Sequence, residues 1–117
     1  MKNYFLYFLS LFFFISCAQK QEDKIALETG ISFELATYRK QQISDVTYYL
    51  NFNIPNEKEN SIPARLEVCF RVHDLKNDVF LDFNEQTSNL KLVKINGKEA
   101  VINHQKEHVI IDKTKLV

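Results

Sequence analysis

The sequence has no tryptophan, one methionine, and only two residues each of glycine, proline and cysteine. Two cysteines, Cys17 and Cys69, cannot make the disulfide framework of a small secreted scaffold. With so little glycine and proline, most turns must be made by asparagine and aspartate, whose short side chains bond their own backbone. No charge of either sign is in excess: 15 basic residues balance 15 acidic ones. That balance removes the electrostatic case for nucleic acid or for an acidic lipid surface as partner. The long apolar run Tyr4 to Ile15 falls short of the roughly 18–20 residues a membrane-spanning helix needs. What remains is an ordinary globular composition, 45% apolar and 26% charged, with room in 117 residues for one domain.

Met1-Lys2-Asn3 is a short, positively charged opening, and Tyr4 to Ile15 is apolar or aromatic except for Ser10. This is the layout of an export signal. Ser16-Cys17 follows directly. A small residue before a cysteine at that place resembles the bacterial lipoprotein cleavage site, although Phe14 stands where leucine is usual and Ile15 where small residues are commoner. Residues 1–16 are therefore expected to be a lipoprotein signal peptide. Residues 17–29 are expected to be lipidated Cys17 and a polar tether. The alternatives are a plain secretory signal or an amphipathic membrane anchor. Acyl chains on Cys17 would make the membrane a partner and place an exported chain at the outer membrane or cell surface. Lys20-Gln21-Glu22-Asp23 is either an ordinary solvated linker or a charged surface-routing segment.

The stretch Gly30 to Pro55 organises the body. Glu28 to Gln42 reads as a short helix or turn, with Arg39 and Lys40 near its end, where cations complement the helix dipole. From Asp45 to Ile54 the period becomes two. Val46, Tyr48, Leu50, Phe52 and Ile54 fall on one face, which is expected to be buried. Ile62 to His73 alternates again, placing Ala64, Leu66, Val68, Phe70 and Val72 inward and Arg65, Glu67, Cys69 and Arg71 outward. Strands are further expected at Val79–Phe83, Leu90–Ile95, Val101–Asn103 and His108–Asp112. Asn96-Gly97 is the clearest tight-hairpin signal. About six strands in series without a helical crossover predict an all-β fold. The form expected is an antiparallel sandwich or saddle-like sheet preceded by a short helix or turn.

Gly30, Ser32, Glu34, Leu35, Ala36, Tyr38, Arg39, Ile43, Ser44, Val46, Tyr48, Leu50, Phe52, Ile54 and Pro55 form a pattern. It resembles the opening of the amino-terminal β-domain of bacterial, Bacteroidetes-type zinc aminopeptidases of the aminopeptidase N family. Val79 to Phe83, Val93 to Lys98 and His108 to Ile111 match the family's later strands in order and approximate spacing. The resemblance implies a non-catalytic domain over residues 30–117 that is incomplete and packs on and caps a catalytic domain. In that other domain an H-E-x-x-H helix, with a downstream glutamate, holds zinc. No residue of this chain inherits a catalytic, zinc-ligand or cofactor role, so the expected partner is a separately encoded catalytic domain. The alternative is a standalone surface lipoprotein that binds a partner or ligand.

One motif imitates chemistry. His104-Gln105-Lys106-Glu107-His108 fits H-x-x-E-H, a zinc-protease pattern that works only where residues four apart are neighbours on a helix. The flanking Val101-Ile102 and Val109-Ile110-Ile111 favour strands, so a solvated hairpin loop is expected, across which the histidines would bind metal only adventitiously. His73 reads as a turn residue beside Asp74. Cys69, among charged neighbours, reads as a solvent-side thiol.

Overall fold

A computed structural model describes residues 24–117, so the expected signal peptide, Cys17 and the tether through residue 23 lie outside the described residues. The described chain is antiparallel β-structure led by one helix, as the alternation predicts. Its seven strands divide into three small, sandwich-like sheets.

Helix α1, Phe33–Gln42, starts at Ser32, whose hydroxyl accepts the Leu35 N–H at 3.1 Å. Glu34 in the first turn and Arg39 and Lys40 in the last suit the dipole. Leu35, Tyr38, Arg39 and Gln42, spaced three and four apart, form its inner face. Three of the four are polar, so this face is held largely by hydrogen bonds. The helix ends without a loop: Ile43 turns to extended backbone and at once begins β1, Ile43–Phe52, two residues before the expected start.

Strand β1 pairs with β2, Ala64–Val72, in a long antiparallel hairpin. Asp45 and Val46 together oppose Phe70, a bulge made possible by Asp45 at φ 53°, where aspartate is among the few tolerated non-glycine residues. Strand β3, Val79–Asp82, pairs with β7, His108–Ile111, which also pairs with β6, His104–Gln105. Strands β4, Val93–Ile95, and β5, Lys98–Ala100, flank Asn96-Gly97, whose positive φ values of 50° and 78° make the tight hairpin expected there. A second such turn has no glycine: Lys106 and Glu107 take φ 48° and 67° between β6 and β7.

The core lies around β3 and β7. Register pairs Val79 with Ile111 and Leu81 with Val109 on one face. Ile43, Phe70, Phe83, Leu90, Val93, Ile95 and Leu116 pack against Val79, Val109 and Ile111 there.

Three expectations are corrected. The apolar face of β1 is not buried: Val46, Tyr48, Leu50, Phe52 and Ile54 are all exposed, as are Ile62, Ala64 and Leu66. Only the root of the hairpin, with Ile43, Val68, Phe70 and Val72 half-buried, reaches the core, because the two strands run on past the short strands that could cover them. Residues 90–92 are not strand, since Leu90 closes a 3-10 turn over Thr87–Asn89. Residues 101–103 are not strand either, because Lys98–Ala100 takes the pairing with β4. These placements fix where truncation hurts. Ile111→Ala is expected to cost about 2–4 kcal/mol of unfolding free energy, and Val101→Ala, on the surface, less than about 0.5 kcal/mol, as read by urea denaturation.

Candidate functional site

The second face of the β3–β7–β6 sheet gathers the polar side chains. Register sets Asp82 opposite His108. Arg39 reaches across from α1 and grips Asp82 with both guanidinium nitrogens, Nη1 to Oδ2 at 2.8 Å and Nη2 to Oδ1 at 2.6 Å. The His108 Nδ1–H donates to the same Oδ1 at 3.0 Å. Its Nε2 lies 2.9 Å from the Gly30 carbonyl and 3.2 Å from the Glu28 carbonyl. Both ring nitrogens are therefore engaged, and Nδ1 also lies 3.4 Å from the Arg39 Nη2. Arg39 first, through its hydrogen bonds and charge, and then His108 hold the Asp82 carboxyl below its ordinary value. Lys106 adds a second clasp on the incoming segment, donating to the Leu27 carbonyl at 2.7 Å.

The cluster has little left for chemistry. His108 is only 1% exposed, and Asp82 already accepts on both oxygens. An open cleft of about 330 Å³ borders Asp82 and His108 with Gly30, Ile31, Asn84 and Glu107, but every donor and acceptor of the histidine is engaged behind it. A second open cleft, of about 380 Å³, lies between residues 24–27 and the sheet beside Phe80 and Ile110.

The H-x-x-E-H residues sit on a hairpin, as expected, but not in a solvated loop. His104 pairs with Val109 and Gln105 with His108, so alternation sends the two histidines to opposite faces. His104 is half-buried against Phe83, its Nε2 2.9 Å from the Phe83 carbonyl and its Nδ1 2.7 Å from the Thr87 hydroxyl. His108 is fully interior. A shared metal ion does not fit these two positions. Among the described residues, no three His, Cys, Asp or Glu side chains form a group able to hold one.

His73 is more than a turn residue. Its backbone N–H donates to the Gln42 carbonyl at 2.8 Å, and its Nε2 lies 2.6 Å from the Ser44 hydroxyl. A serine beside an imidazole is half of a nucleophile–base pair, which also needs a group orienting the far ring nitrogen. The nearest carboxylate in sequence, Asp74, is instead engaged with the Lys76 N–H at 2.8 Å, and Ser44 and His73 line neither cleft. Cys69 is exposed opposite Thr47, on the polar side of the hairpin.

The residues missed in the sequence are the helix anchors. Gln42 is fully buried and its Nε2 donates to the Asn77 and Asp78 carbonyls at 2.9 and 3.1 Å, while Tyr38 accepts the Asn77 N–H at 3.2 Å. Arg39 read as a dipole cation and proves to be the link to Asp82. The available signal was spacing: Tyr38, Arg39 and Gln42 continue in polar side chains the helical repeat that starts at Leu35.

No protein-family model, no curated protein and no solved structure matches this chain.

The Asp82 geometry fixes a pH dependence. Its carboxyl is held lower in the folded chain than the ordinary 3.8, so its contribution is complete above that value. It is lost as pH falls through the folded value. Asp82→Asn is therefore expected to be less stable than the parent at neutral pH, by about 1 kcal/mol or less, because a carboxylate 45% exposed is screened by solvent. That gap should close on acidification below 3.8, as measured by urea unfolding across pH. A gap that widens in acid contradicts the assignment.

Proposed function

We propose that this chain is the non-catalytic amino-terminal β-domain, or a fragment of one, of a membrane-anchored zinc metallo-aminopeptidase of the aminopeptidase N family. It acts by packing on and capping a catalytic domain encoded separately. The resemblance of Gly30 to Pro55 and of the later strands supports the family. The observation that supports a non-catalytic role is the division of His104 and His108 between opposite faces of one hairpin, each histidine already bonded to the fold. In this reading zinc belongs to the partner domain. Lipid on Cys17 supplies the anchor, at the outer membrane or cell surface.

A second reading, a standalone surface lipoprotein that binds a partner or ligand, is favoured by the open cleft between residues 24–27 and the sheet beside Phe80 and Ile110. The genomic neighbourhood separates the two. An adjacent frame encoding H-E-x-x-H, whose product co-purifies with this chain, supports the aminopeptidase reading, and an unrelated neighbour supports the binding module. The chain by itself is expected to release no amino acid from aminoacyl anilides, with or without added zinc. Turnover abolished both by a chelator and by His104→Ala would overturn the non-catalytic assignment. For the anchor, Cys17→Ser is expected to move the chain out of the membrane fraction of expressing bacteria.

A further inference from the structure

The β1–β2 hairpin presents Tyr48, Leu50, Phe52, Ile54, Ile62 and Leu66, each between 55% and 74% exposed. Register sets Leu50 directly opposite Leu66, near the middle of this set. The Asn53 N–H donates to the Pro63 carbonyl at 2.9 Å and carries the ladder one step toward the tip. Toward the root the same face becomes interior, through Phe70 and Ile43, which pack on the Val79, Val109 and Ile111 core. The exposed part is thus a core surface continued beyond its cover. The charges of the hairpin, Arg65, Glu67 and Arg71, stand on the opposite face with Cys69.

Three physical requirements select the occupant. The uncovered apolar area is on the order of 700 Å², larger than a soluble monomer ordinarily leaves open and close to the ~800 Å² per partner of a standard interface. The surface is a flat, pleated pair of strands, so its complement is another such face stacked about 10 Å away. It carries no charge, so nothing in it selects a partner by charge complementarity, and nothing repels when the same patch meets itself. A second copy meets all three requirements, and a patch used once by each copy closes at two.

We infer that the apolar face of the β1–β2 hairpin is a homodimer interface, in which two copies pack face to face about a two-fold axis near Leu50 and Leu66. This rests on the hairpin alone and is independent of the aminopeptidase reading. The test uses the full chain in the envelope of expressing bacteria, in a Cys69→Ser background, with a short bis-maleimide as crosslinker. Leu50→Cys, on the face, is expected to give a crosslinked species of twice the chain mass. Tyr49→Cys, on the reverse side, and the background alone are expected to give little. Adding Leu66→Lys to Leu50→Cys should lower the crosslinked fraction at least about tenfold, because the interface would have to bury an unpaired charge. Leu50 and Leu66 are both exposed, so these substitutions are expected to leave the fold intact. The proposal is overturned by absence of the doubled species, by equal crosslinking at Tyr49→Cys, by indifference to Leu66→Lys, or by a Leu50→Cys adduct to a protein of different mass.

Discussion

One carboxylate ties the helix and the incoming segment to the β3–β7 pair. Asp82, at the end of β3, accepts the guanidinium of Arg39 from α1 and the imidazole of His108 from β7. The far nitrogen of that imidazole then holds the segment entering the helix, through the Glu28 and Gly30 carbonyls. Helix, sheet and incoming strap therefore meet at one group. The geometry is demanding: a guanidinium and an imidazole share one carboxylate, and the histidine is almost wholly out of water. Removing Asp82 leaves the mostly buried Arg39 guanidinium and the buried His108 Nδ1 without their carboxylate partner.

The same arrangement explains why a zinc-like motif is chemically silent. H-x-x-E-H needs a helix to bring its histidines together, and β-branched neighbours on both sides impose strands instead. Lys106 and Glu107 pay for the reversal by entering the left-handed region, at φ 48° and 67°, without glycine. The histidines that remain are spent on the fold, one on the Phe83 carbonyl and one on Asp82 and the strap.

Much of the architecture was legible because it is written in local periodicity. The alternation through Tyr48, Leu50 and Phe52 and the Asn96-Gly97 turn signal their elements directly. Burial was less legible. Alternation tells which residues share a face but not whether anything covers it, and β1 keeps a perfect apolar face that meets solvent beyond its root. The site was the least legible. Asp82 lies inside the apolar run Val79–Phe83 with nothing to single it out, and His108 reads as part of a loop motif. Only the antiparallel register of β3 and β7, a pairing of segments 26 positions apart, sets them opposite each other. The anchors of α1 were hidden for a related reason: its inward face is mostly polar, and an apolar search passes over Arg39 and Gln42.

The central claim is that Asp82 and His108 act as one unit in holding the fold together. A double-mutant cycle on unfolding free energy, with Asp82→Ala, His108→Ala and the pair, tests it most directly. The account predicts that the two losses are non-additive, with a coupling of about 1 kcal/mol or more. Additivity within about 0.3 kcal/mol would mean that the two residues contribute independently, contradicting the account.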